Sequence, residues 1–177
     1  MPVVVEDGTG LAGANAYISA AFLNGYAGDA GTAVPAGNAD GAIVRASRWI
    51  DGVFGARFSG ARLRGREQGL EWPRVGATDA SGAAIAADEV PVEIQRATAE
   101  AALRELGSPG SLAPDANDAG LAGAVRRTRR KVGELETETE YSERIAVSAE
   151  GSGFPVIDGI LAGLLATPRI APSIFVV

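Results

Sequence analysis

The chain has 177 residues, enough for one domain with a hydrophobic core and short of two. Hydrophobic residues make up 46% and charged residues 21%, and 24 glycines supply many backbone hinges, so a globular body with long irregular arms is expected. Cys and His are absent, which closes disulfide, thiolate, imidazole and Ser-His-Asp chemistry together with Cys/His metal sites; carboxylates, tyrosines and the single lysine, Lys131, are what remains, so no enzyme and no cofactor is expected.

The formal net charge of −6 and the pI near 4.7 give a whole-molecule field that repels nucleic acid. The distribution is uneven. Arg45, Arg48, Arg57, Arg62, Arg64, Arg66 and Arg74 fall in one stretch and Arg126, Arg127, Arg129, Arg130 and Lys131 in another, together twelve of the sixteen basic residues. No run of eighteen apolar residues occurs and no basic segment precedes the apolar residues 3–5, so neither a membrane span nor a signal peptide is expected, and an intracellular site of synthesis is expected.

In chain order, residues 3–5 read as a short β-like run followed by a turn rich in glycine (Gly8, Gly10, Gly13). Ser19 can cap a first short helix through Phe22, Leu23 and Tyr26. After a loop punctuated by Gly28, Gly31, Pro35 and Gly37, a second helix starts at Asn38 or Asp40. Its apolar side carries Ile43, Ala46, Ser47, Ile50, Val53 and Phe54 at three- and four-residue spacing, with Trp49 beside them. Residues 55–76 have no clean period and read as a structured loop that winds over the helices. A third helix begins at Pro91, with Glu89 and Glu93 near its positive end and Ile94, Ala97, Ala101, Leu103 and Leu106 inward, and stops at Gly107 and Pro109.

A Gly/Pro/Asp/Asn linker follows. Glu134, Glu136, Glu138 and Glu140 then alternate with Leu135, Thr137, Thr139 and Tyr141, the period of a strand with every acid on one face; Ile145 and Val147 could return as its partner. Residues 154–165 predict a last helix with Pro155 at its start. The terminal residues 170–177 are too apolar to stand in water and are expected to dock on a neighbour. The expected fold is mainly α: a small helical bundle with a short β-strand or hairpin extension and extended terminal arms. It divides into an N-terminal arm (1–14), a helical core (15–107), a linker (108–124), a β-containing extension (125–150) and a C-terminal helix with its docking tail (151–177).

Three features could carry chemistry. Gly8, Gly10 and Gly13 match the dinucleotide fingerprint GxGxxG, but no βαβ unit follows, so an N-terminal arm is expected instead of a nucleotide site. Adjacent glutamates on the acidic strand face stand about 7 Å apart and could hold a cation. The plainer expectation is a solvated face, or one that meets the basic run 126–131 of another copy in the head-to-tail contact that closes a ring. Trp49, Phe54, Phe58 and Trp72, mixed with Arg57, Arg62, Arg64, Arg66 and Arg74, could stack on and neutralise single-stranded DNA; core packing is the competing account of the aromatics.

Several segments in order resemble a family. Tyr17 before a short helix, residues 45–51 (RASRWID), residues 58–60 (FSG), residues 68–74 (QGLEWPR), residues 90–94 (VPVEI) with Ala97, residues 131–136 (KVGELE) and the closing apolar helix look like the head-tail adaptors of tailed bacteriophages. Sequences of this kind often carry the description of a DnaT-like single-stranded DNA-binding protein. Residues 29–41 depart from the tighter family pattern. The resemblance implies a ring of about twelve subunits beneath the portal protein, above a downstream stopper or tail-completion protein, in the neck of the virion. Genomic double-stranded DNA would cross its channel without sequence-specific contact. Ile170, Ile174, Phe175, Val176 and Val177 would dock on the portal. Contacts with neighbouring subunits or the DNA lumen are expected from Arg62, Arg64, Arg66, Trp72, Arg74, Arg126, Arg127, Arg129, Arg130, Lys131, Glu134, Glu136 and Glu138. No catalytic, cofactor or metal residue is implied, and single-stranded DNA binding in replication is the alternative.

Overall fold

A computed structural model describes residues 2–112, 128–132, 135–139 and 152–165. Among them are four helices and two small antiparallel sheets, so the chain is mainly α with a short hairpin.

Helix α1 (Ala20–Asp29) starts where Ser19 Oγ accepts from Phe22 N at 3.2 Å, and α2 (Ala39–Phe54) starts where Asn38 Oδ1 accepts from Gly41 N at 2.9 Å. Each cap satisfies one of the N–H groups that a helix start leaves without an internal partner. α3 (Val92–Gly107) follows Pro91, whose fixed backbone suits a helix entry, and carries Glu93 in its first turn. α2 packs chiefly on α3. Ala42, Ile43, Ala46 and Ile50 on α2 are fully buried, as are Ile94, Ala97 and Ala101 on α3, and the small alanines let the two backbones approach closely. Val53, expected inward, is 38% exposed, and Ala42 takes an inward place in that stripe.

Between α2 and α3 the chain makes two 3₁₀ turns, Gly55–Arg57 and Gly65–Glu67, and a two-residue ladder of β1 (Ala61–Arg62) and β2 (Arg74–Val75), with Ala61 opposite Val75 and Arg62 opposite Arg74. This is the expected winding loop, held by side chains more than by strands. α4 (Pro155–Leu161) packs on α3 with Ile157 and Leu161 fully buried. It is shorter than the expected helix over 154–165, for after Ala162 the chain turns. Gly163 O accepts from Ala80 N at 2.8 Å, and Leu165 bridges to Phe58.

The N-terminal segment, expected as an arm, lies on the body instead. Val5 bridges in parallel to Ala16, Glu6 N donates to Ala16 O at 2.9 Å, and Ala14, Ala16, Tyr17 and Ile18 join the core. The second sheet pairs β3 (Thr128–Val132) with β4 (Leu135–Thr139). The acidic strand is present and pairs with the basic run before it; residues 145–147, the partner expected from the sequence, lie outside the described residues. A two-residue separation lets adjacent segments pair at once, with opposite charges facing in register.

Candidate functional site

The most elaborate polar arrangement is the loop of residues 68–74 on the C-terminal end of α2. Tyr17 Oη donates to Asp51 Oδ1 at 2.5 Å and accepts from the backbone N–H groups of Glu71 (3.1 Å) and Trp72 (3.2 Å); Asp51 Oδ2 also accepts from Glu71 N at 3.1 Å. The Glu71 carboxylate in turn takes both arginines of the small ladder. Arg62 donates to Oε1 and Arg74 Nη1 to Oε2 at 2.6 Å. Arg74 then donates to the carbonyls of Ser59 (2.8 Å), Gly60 (2.9 Å) and Phe58 (3.4 Å). Gln68 completes the frame by donating to Leu70 O and Pro73 O and accepting from Arg64 N. The Trp72–Pro73 peptide bond is cis.

Electrostatics follow from this geometry. Burial pushes the Asp51 carboxyl up to about 7, against the Tyr17 and Glu71 hydrogen bonds that favour its charged form. Burial and the neighbouring Asp51 hold the Tyr17 phenol well above its usual range. Burial opposes ionisation of Glu71 as well, yet its hydrogen bonds and charge contacts with Arg62 and Arg74 leave it below the usual carboxylate range. Such a set binds backbone to backbone. Its charged groups face one another, and the Arg62, Arg74 and Gln68 side chains donate to the chain itself, while the buried Trp72 Nε1 has no hydrogen-bond partner among the described residues.

Two of the expected contact residues turn inward in the chain. Trp72 is 0% exposed, edge-on to Phe58 at 5.6 Å between ring centroids, and Arg74 is 6% exposed with its guanidinium on loop carbonyls. Arg62 is half-buried on Glu71, Arg64 donates to Thr9 O at 2.8 Å while its residue stays exposed, and Arg66 is exposed. Asp51 and Tyr17 were not singled out from the sequence as site residues, since they stand 34 positions apart and nothing local marks them as a pair.

The glycine fingerprint has its own explanation. Gly8 and Gly10 adopt φ of +95° and +73°, turning the backbone N–H groups of Gly8, Gly10 and Leu11 inward onto the Glu6 carboxylate at 2.9 to 3.0 Å. It is an anion nest, and its anion is a side chain of the same segment.

A cavity of about 340 Å³ opens beside α2 and α3, lined by Arg45, Arg48, Trp49, Glu105, Gly110 and Leu112. The buried Glu105 accepts from Arg45 Nε at 2.7 Å and from Gly110 N at 3.1 Å, and Trp49 stacks edge-on with Phe154 at 5.4 Å. Among the described residues no cluster of acidic side chains is suited to a metal ion, and no helix is long and apolar enough to cross a membrane.

In the hairpin, Arg129 stands opposite Glu138 and Lys131 opposite Glu136, while Arg130 faces Thr137. The charge match expected between copies therefore exists within one chain. Arg126, Arg127, Glu134 and the docking residues Ile170, Ile174, Phe175, Val176 and Val177 lie outside the described residues.

No curated protein and no solved structure matches the chain. A family model does, over residues 1–177. The chain belongs to the family described as "putative DnaT-like ssDNA binding protein".

Proposed function

We propose that the chain is a structural adaptor subunit in the neck of a tailed phage, assembled as a ring between the portal protein and a downstream stopper or tail-completion protein, with DNA passing through its channel. The observation that carries this reading is the inward use of the QGLEWPR motif. Trp72 and Arg74, which a strand-stacking surface would present, are consumed in fixing the loop to the bundle. A frame of that kind suits a protein that must hold its shape under load. The resemblance described above supplies the neck, the portal and the count of about twelve. The apolar residues Ile170, Ile174, Phe175, Val176 and Val177 supply a segment suited to the portal. No enzymatic step is part of this reading.

The test is quantitative mass spectrometry of purified virions. We expect a ratio to the portal protein near one to one. Absence of the chain from particles, despite expression during infection, would overturn the reading.

Single-stranded DNA binding is the second reading, favoured by the family's description and by one place in the fold: half-buried Trp49 at the cavity beside Arg45, whose side chain is 53% exposed, and exposed Arg48. A titration with oligo(dT) at several salt concentrations separates the two. Tight binding that weakens steeply with salt and is lost in Trp49→Ala favours the strand-binding protein.

A further inference from the structure

The β3–β4 hairpin has no body beneath it: among the described elements, neither strand packs on any helix or strand but the other. A lone two-stranded hairpin is at best marginally stable in water, and among the described residues neither of its outer edges has a strand beside it, which leaves backbone groups able to receive another strand. The register assigns those groups. Val132 and Leu135 pair across two intervening residues, the spacing at which the closing pair is hydrogen-bonded, and the pairs alternate from there. Thr128, Arg130 and Val132 therefore direct their backbone groups toward β4. Arg129 and Lys131 direct theirs outward, and on β4 the outward positions are Glu136 and Glu138. Among the described residues, one outer edge belongs to two cationic residues and the other to two anionic ones.

We infer that hairpins of successive copies add edge to edge, the β3 edge of one against the β4 edge of the next, making a shared sheet that runs around the assembly. This deepens the ring reading and rests on it. A second copy is the fitting occupant because each chain presents both halves of the match. Strand order stays β3, β4, β3, β4, antiparallel throughout, with Arg129 and Lys131 set against Glu138 and Glu136 of the partner subunit. Joining β3 to β3 or β4 to β4 would oppose like charges, which is destabilising. The contact is consequently head to tail, the heterologous kind that closes rings, and not the self-complementary kind that stops at a dimer.

Two full-length double variants test it. Arg129→Glu with Lys131→Glu makes both edges anionic, and Glu136→Lys with Glu138→Lys makes both cationic. By native mass spectrometry each alone should assemble at least about tenfold less than wild type, with helical circular dichroism retained, and an equimolar mixture should recover assemblies in which the two alternate. Inside each variant chain the strands carry like charges, so recovery on mixing reports contacts between copies alone. Assembly of either variant alone at the wild-type level overturns the hairpin contact and leaves the ring standing. So does a mixture that stays unassembled while wild type assembles. A wild-type chain that remains monomeric at every concentration overturns both.

Discussion

The phenolic oxygen of Tyr17 serves three partners at once, donating to Asp51 and accepting from the N–H groups of Glu71 and Trp72. It is the point where the start of α1, the end of α2 and the loop before β2 meet. Tyr17→Phe keeps the ring and removes the oxygen, leaving Trp72 N without that acceptor in a buried setting. A loss of about 1–3 kcal/mol is expected from such an orphaned donor, read as a lower urea midpoint with an unchanged slope.

Asp51 sets a pH dependence. Its carboxyl is raised to about 7 in the fold from an ordinary value of 3.8, so the fold favours the protonated form. The corresponding stability is fully present below about pH 4 and is lost as pH rises through 7. Glu71 runs the opposite way, lowered by its arginines and contributing stability above its ordinary value. Comparing wild type with Asp51→Asn isolates the first effect. Between pH 4 and 7, wild-type stability should fall relative to the variant's; parallel curves would refute the assignment.

Trp72 gives an optical check, since the chain has two tryptophans and the other is Trp49. In Trp49→Phe the remaining indole is fully buried, and its emission should be blue-shifted, resistant to acrylamide and unaltered by oligo(dT). Quenching by the oligonucleotide would mean that the loop opens and presents the ring. Trp72→Ala should cost about 3–5 kcal/mol and unfold a marginal domain.

Gly69 lies where the N-terminal segment crosses the loop. Its N–H donates to Leu11 O at 3.1 Å, and a Cβ there would meet Ala14 O at 2.3 Å. Gly69→Ala must push one backbone off the other. We expect about 1–3 kcal/mol of destabilisation and faster amide exchange over residues 11–16, whereas Gly28→Ala, with open space around it, should show neither.

Much of the bundle was readable from local chemistry. Ser19 and Asn38 are cap residues placed before apolar spacing, and Ile43, Ile50, Phe54 and Ile94 point where a 3.6-residue period puts them. The loop was harder, because composition cannot say which way a residue faces. Arg62 and Arg74 beside Trp72 look the same in sequence whether they meet a phosphate or Glu71. The network depends on Tyr17 and Asp51 meeting across 34 residues, a tertiary fact with no periodic signature. For the hairpin the sequence does hold a signal: two oppositely charged segments lie two residues apart, with Gly133 between them, so they can pair with each other before either meets a second chain.

The nest at Gly8, Gly10 and Leu11 has a consequence for competition. Glu6 is tethered two to five residues from the N–H groups it fills, so its carboxylate is present there at a high effective concentration, and a dissolved phosphate must displace it against that advantage. The fingerprint is therefore self-inhibited. A segment that spells a nucleotide cradle in its letters acts as a clasp, and the ion it was shaped to hold never leaves the chain.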